Sequence, residues 1–510
     1  LTLGLAFSPR GDRKGLLSAP LFALATGLKL IPGMAAGPML VARARAISEK
    51  TGGTGRPRRT IMRWVGLFVL AFTLVVGLAV AGEQLEVVVV HERETEARAY
   101  EGEVESLTVA ESRGVGVRVV SGNRQGFAYT GTLDRDAVDE ALAEARDNMS
   151  FATPDEHCGV AEPDGVDAAD LDLYRVSLAD HPTDEKVAMA LELERLTLSV
   201  DDRITGIESA EYSDSISEKA VATTTGIRAA SRETGCFLSA YALAGQDGET
   251  QTGFGFSLGR EPGDLDIEIA AREAAERATR MLGSVKPPSG RLTVVLDPWV
   301  SAQFLGIVGG TLSGEMVQKG RSLFADRLGD DVAAPGVTLI DDPTDVCAFT
   351  ASATDGEGLA TRRNVLIAGG RLDRFVHNSQ TARRAGTVST GSAVRGYSST
   401  PGAGVRAVSV VPGALSQADL VAGIDDGILI QGVSGLHSGV NPVSGDFSTG
   451  AEGIRIRGGE MAEPVREFTI ASTIQRMLLD IEAIGCDLQW LPMKAAGVTL
   501  VIGELTISGT

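Results

Sequence analysis

The sequence predicts an α+β protein in three parts: an N-terminal α/β layer domain, a central α+β domain, and a large β-rich, antiparallel, barrel-like C-terminal domain. Three observations carry this expectation. The chain has 510 residues, 43% of them hydrophobic, enough to fill more than one core. Short alternating or β-branched runs recur along it, punctuated by 62 glycines. Longer helical periodicities interrupt those runs at only a few places, chiefly 134–148, 183–199, 264–281, 299–316 and 472–484.

The first 82 residues stand apart. Residues 1–63 hold eleven Lys/Arg against two Asp/Glu, whereas the whole chain is acidic, with a net charge of −20 and a pI of about 4.8. Ser48 to Thr60 reads as a flexible basic linker. Trp64 to Gly82 then runs for 19 residues without a charge, long enough to span a bilayer. Two readings stand beside a membrane anchor. One is a first buried helix of the following domain; the other is a leader upstream of the true start, near Met34 or Met62. The acidic remainder argues against nucleic-acid binding by charge and for a cytoplasmic protein, with membrane anchoring through 64–82 as the alternative. Cys158, Cys236, Cys347 and Cys486 form no CxxC pair, so neither a disulfide framework nor a zinc knuckle is indicated.

Residues 83–160 read as the first domain. QLEVVVVH (84–91) is a strand, followed by strand runs at 105–112 and 114–120, a turn at 121–123 and a further strand. The helix at 134–148 places Ala137, Leu142 and Ala145 on one side, with Thr132 or Asp134 as its cap. Residues 155–170 are acidic and rich in small side chains, and read as a linker. The central domain, 171–288, opens with the helix at 183–199. Strands at 204–212, 217–224 and 228–244 follow, and then the helix at 264–281. Pro287 to Gly290 marks a boundary. The C-terminal domain, 289–510, shows short strands at 292–296, 337–340, 364–368, 405–411, 427–431, 453–457 and 498–502. DDPTD (341–345) lacks a calcium-loop pattern and reads as a solvated turn.

The helix at 299–316 is unusual. Val300, Phe304, Val308, Leu312 and Met316 repeat at four-residue spacing, yet Gly306, Gly309, Gly310 and Gly314 lie among them. Each glycine costs up to about 1 kcal/mol of helix propensity, so their number points to close packing rather than local preference. The five histidines are dispersed and make no HExxH or HExxxH pair. No Walker A loop and no GxSxG elbow in strand–turn–helix context is present.

GEMVQKGRSLFADRLGD (314–330), SGVNPVSGDFSTGAEGIRIRGGE (438–460) and VTLVIGELTISG (498–509) together resemble the TldD/PmbA family. Its members carry the name of modulators of DNA gyrase and are regarded as peptidases. The likeness rests on order and spacing and spans about residues 83–510. In the metal-bearing subunit of that family the 299–316 helix carries HExxxH. The matching positions here are Leu305, Gly306 and Gly310, and the third ligand, a cysteine after the GDF segment, falls at about Ala451. The resemblance thus implies a PmbA/TldE-like subunit with no catalytic or metal residues of its own. Zinc is expected in a TldD-like partner, with which this chain would process small or unfolded peptides. The alternative is a non-enzymatic homodimer that binds peptides or serves as a scaffold. The resemblance also implies cleft-lining roles for Asp355, Glu357 and Arg362, for His377, and for His437 just before the glycine-rich loop. No direct nucleic-acid contact is expected.

Overall fold

The computed structural model describes residues 80–510, so the expectations for the basic leader and for nearly all of the 64–82 segment lie outside the described residues. Among the described residues, no helix is long and apolar enough to cross a membrane.

One six-stranded antiparallel sheet carries both the first and the central segments. Its strands are β1 (Gln84–Tyr100), β2 (Glu103–Ser121), β3 (Arg124–Thr130), β4 (Ile204–Thr223), β5 (Arg228–Gln246) and β6 (Glu249–Gly259). They lie in the order β3-β2-β1-β4-β5-β6. The β1–β4 pairing, from Glu86 opposite Thr223 to Ala99 opposite Ala210, fuses the two segments. The strand expected at 84–91 continues to Tyr100, because charged residues beyond His91 point outward while Thr95, Ala97 and Ala99 stay buried.

Period-two alternation assigns the two faces of this sheet. Leu85, Val87 and Val89 of β1 share a core with Ala220 and Ala222 of β4 and with helix α1 (Arg135–Phe151). Along the same face, helices α2 (Thr183–Ser199) and α3 (Ile267–Arg280) cover Tyr212, Leu238 and Ala240. α3 presents Ala270, Ala271, Ala274, Ala275 and Ala278, so its backbone comes close to β6. Gly253 and Gly255 of β6 complete that approach, since a Cβ at either would overlap α3 backbone atoms. On the opposite face, Val88, Val90 and Val221 pack on Tyr397 of the C-terminal domain. Gly114 and Gly116 of β2 leave the room that Tyr397 occupies.

The C-terminal domain begins with strand β7 (Gly290–Leu296) and helix α4 (Pro298–Thr311). Then comes a small sheet of β8 (Leu339–Asp341), β9 (Asn364–Ala368), β10 (Arg371–Leu372) and β11 (Val408–Val410). The remaining strands are β12 (Asp426–Ser434), β13 (Asp446–Arg457), β14 (Glu460–Thr473), β15 (Ile481–Ile484) and β16 (Leu500–Ser508). The order β14-β13-β12-β7-β16 closes on itself through pairing of β14 with β16, giving a five-stranded barrel. β7 and β12 are parallel; the other neighbours are antiparallel. The expected barrel-like, β-rich body is thus the observed one.

Local expectations change at several places. The strands expected at 105–112 and 114–120 are one strand, β2, and those at 204–212 and 217–224 are one strand, β4, because pairing with β1 runs unbroken across both gaps. The helix expected to reach Met316 ends at Thr311, and Ser313 caps a separate turn, Gly314–Gln318, by accepting the Glu315 N–H. The run expected as one helix at 472–484 is helical only over Ile474–Leu479. Beyond it, Ile481 and Ile484 pair with Ile502 and Leu500 as strand β15. Asp341, read within a solvated turn, is buried in β8, where its carboxylate accepts the N–H groups of Arg406 (2.8 Å) and Ala407 (2.7 Å).

Candidate functional site

Helix α4 starts from Asp297, whose side chain accepts the Val300 N–H at 2.9 Å, and Pro298 occupies its first turn. The Asp297 N–H bonds the Ile430 carbonyl of β12 at 3.1 Å, which ties the helix start to the barrel. Burial pushes the Asp297 carboxyl up to about 7, against the lowering effect of the Val300 hydrogen bond. One side of α4 sinks Val300, Phe304, Leu305 and Val308 into the largest core, and Phe304 meets Phe447 edge to face at 6.1 Å. Gly309 is packed, since a Cβ there would stand 2.9 Å from Val408. Gly306 and Gly310 are different. A Cβ at Gly306 would make only an ordinary 3.8 Å contact with Ala495, and one at Gly310 would meet nothing within 4 Å.

Leu305 is fully buried in this apolar core, and Ala451 of β13, at 8% exposure, belongs to the same core. A zinc site takes three or four nitrogen, sulfur or oxygen donors. These four positions supply an isobutyl group, two hydrogens and a methyl group. They do not fit a metal ion, and among the described residues no group of three or more His, Cys, Asp or Glu is arranged to hold one.

His377 lies beside the turn that follows α4. The Gly314 N–H bonds the Val376 carbonyl at 2.8 Å, and a Cβ on Gly314 would overlap the His377 ring. The ring is buried with Nδ1 3.2 Å from the Thr381 hydroxyl, and burial lowers its pKa, which keeps it neutral. His437 sits instead on the exposed side of the short helix Leu436–Gly439.

Asp355 and Glu357 are both buried. Asp355 organises its own loop, accepting the N–H groups of Glu357 (2.9 Å), Leu359 (3.0 Å) and Ala393 (3.0 Å). Burial, and then the neighbouring Glu357, raise its pKa. Glu357 accepts the Ser379 N–H at 2.9 Å and faces Arg118 of β2 at 3.5 Å. Arg362 bonds the Ala360 carbonyl and pairs with Asp164, so it anchors the segment read as a linker. Arg383 reinforces that anchor through the carbonyls of His157 (2.8 Å) and Gly159 (2.7 Å).

The residue pattern had not singled out the group that joins the two bodies. Arg118 holds Glu86 with two hydrogen bonds, at 3.1 and 2.9 Å, and Arg395 from the C-terminal domain pairs with the same carboxylate. The three side chains and Glu357 are 0–1% exposed. Burial alone would raise the Glu86 pKa, but the Arg118 and Arg395 charges outweigh it and hold it below the usual carboxylate value. Lys219 of β4 lies next to Val90 on this face, and burial followed by repulsion from Arg406 and Arg395 pushes its ammonium down to about 8. A signal was present: Glu86 and Arg118 interrupt the otherwise apolar runs LEVVVV (85–90) and VGVRVV (115–120).

Comparison with known proteins places this architecture. Family models match residues 85–148 (PmbA/TldA metallopeptidase domain 1), 177–282 (its central domain) and 289–509 (its C-terminal domain). The chain belongs to the PmbA/TldD metallopeptidase family. It is 26% identical to Metalloprotease PmbA of Escherichia coli O157:H7, over 80% of this chain and 88% of that one. Against the Metalloprotease TldD homolog of Haemophilus influenzae it is 28% identical, over 78% and 87% of the two chains. The crystal structure of a proposed modulator of a DNA gyrase from Thermotoga maritima superposes with a TM-score of 0.78 at 26% identity, covering 84% of this chain and 96% of that one. TldE from Thermococcus kodakarensis shares the fold, with a TM-score of 0.77 at 23% identity over 84% and 97%. Both PmbA and TldD relatives thus span the three PmbA/TldD domains seen here.

Proposed function

We propose that this chain is the metal-free, PmbA/TldE-like subunit of a two-subunit metallopeptidase that processes small or unfolded peptides. The observation that carries this reading is the chemistry of α4 and β13. The helix and strand of the family are kept, while Leu305, Gly306, Gly310 and Ala451 offer no donor to a metal. A TldD-like partner then supplies zinc and the general base, and this chain closes the chamber and positions the peptide. The exposed backbone of Gly310, with half-buried Gly306 one turn before it, supports that role, because Gly310 leaves open space on the helix. In this reading Asp355, Glu357, Arg362 and His377 act as cleft-lining groups through the loops they tie down, and exposed His437 as a further one.

Peptide cleavage by this chain, by a metal-bearing homologue from the same cell, and by their mixture tests the reading. Chelator-sensitive cleavage that this chain lacks and the mixture shows, above the homologue alone, is expected. Chelator-sensitive cleavage by this chain alone contradicts it.

A further inference from the structure

Where the sheet meets the C-terminal domain, two aromatic contacts bracket a polar strip. At one end Tyr397 packs on Val88, Val90 and Val221. At the other, Phe349 lies so close to Gly235 of β5 that a Cβ there would stand 2.8 Å from its ring. Between them the register puts Lys219 and Ser217 of β4 on the same face, with Ser231 and Glu233 of β5 opposite them. All four are half-buried, so the strip reaches solvent within the seam. Arg406 of the C-terminal domain is the strongest charged neighbour of both Lys219 and Glu233. Its backbone is fixed: its N–H bonds Asp341 at 2.8 Å and its carbonyl accepts the Thr350 hydroxyl at 2.6 Å.

The cations of this strip lack acceptors. Among the described residues neither the Lys219 ammonium nor the Arg406 guanidinium makes a hydrogen bond or an ion pair. Arg395 pairs with Glu86 through Nη1 but leaves its buried Nη2 without an acceptor. Arg260 adds a fourth positive group, held only by carbonyls such as those of Thr234 (3.1 Å) and Ala348 (2.8 Å). Glu233 is a poor counter-ion, because burial raises its pKa and favours its neutral form. Cations drawn out of water without an opposite charge are costly, and an anion that meets them removes the cost.

We propose that this strip binds a carboxylate, held by the Lys219 ammonium and the Arg406 guanidinium with the Ser231 hydroxyl as a further donor. A guanidinium fork matches a carboxylate with two parallel hydrogen bonds. A single negative charge suits the strip better than a phosphate dianion, because Glu233, Glu92 and Asp355 flank the cations. The site does not rest on the peptidase reading, since its donors lie on the sheet seam and not on α4 or β13.

Melting temperatures of the full chain in sodium acetate, in sodium phosphate and in sodium chloride at one ionic strength test the site, with calorimetric titration of acetate beside them. Acetate is expected to raise the parent's melting temperature above the chloride value and to bind one per chain. Lys219→Met and Arg406→Met are each expected to weaken acetate binding at least about tenfold. In chloride Lys219→Met is expected to melt no lower than the parent, because it removes a repelled cation. Glu233→Gln is expected to bind acetate more tightly, which keeps the test open should a cation variant fail to fold. Dialanine beside its C-terminal amide separates the sources of the carboxylate. Binding tighter than acetate, lost in the amide, assigns the site to a peptide end; acetate binding alone assigns it to a small free acid, and either bears the proposal out. No rise with acetate, a rise with phosphate only, or acetate binding that survives both cation variants overturns it.

Discussion

Asp297 is the residue on which α4 hangs, and its chemistry has a measurable sign. Its carboxyl is raised from an ordinary value near 3.9 to about 7 by burial, so the folded state binds more protons than the unfolded one between those values. Its contribution to stability therefore falls as pH rises from about 4 through 7. Asp297→Asn keeps an acceptor for the Val300 N–H and removes the titration. Urea unfolding of that variant is expected to be flatter across this window than the parent. Asp297→Ala loses the cap as well, and is expected to cost about 1 kcal/mol more than the asparagine at pH 5. Arg118 presents the opposite case, a buried cation with two carboxylates against it. Arg118→Met leaves Glu357 without its nearest cation and Glu86 with Arg395 alone. A loss of about 3–5 kcal/mol in urea unfolding is expected. Neither effect was legible locally: Glu357 and Asp355 were visible as polar groups, but Arg118 and Glu86 lie in the first domain, and only the fold brings them together.

At the scale of elements, the glycines of α4 separate by what lies over them. Gly309 abuts Val408 and Val405, whereas Gly310 opens to free space on the helix. Gly309→Ala is expected to lower stability by about 1–3 kcal/mol through overpacking. Gly310→Ala is expected to raise it by up to about 1 kcal/mol through helix propensity. Differential scanning calorimetry of the two variants checks both signs. The same helix shows what periodicity can and cannot read. The four-residue repeat of Val300, Phe304 and Val308 marked the buried side correctly, but it ran on through Leu312 to Met316. The stop comes from Ser313 capping a new turn, a local hydrogen bond that apolar spacing does not encode. Likewise Ile481 continued the helical pattern of Ile474 and Met477, yet pairing with Ile502 draws it alongside the barrel strand β16, and tertiary pairing overrides local preference.

Across the whole molecule, the short strands at 292–296, 427–431, 453–457 and 498–502 announced a β-rich body, and they are the staves of the barrel. Its closure through β14 and β16 was beyond a linear reading, because those partners meet only once the chain has turned back on itself. The long β1–β2 hairpin was also understated, since its outer half is exposed and lacks the alternation that marks a half-buried strand. The site was legible mainly as a replacement: the positions that the resemblance matches to a metal motif carry Leu305, Gly306, Gly310 and Ala451 here. The structure adds that Leu305 and Ala451 belong to one apolar core, a setting with nothing to bind a cation. The measurement that tests this most directly is the zinc content of the purified chain, refolded or expressed with zinc in excess and then dialysed. The account predicts no stoichiometric zinc in the chain alone, and zinc recovered only with a metal-bearing partner; one tightly held zinc per chain in the absence of any partner would contradict it.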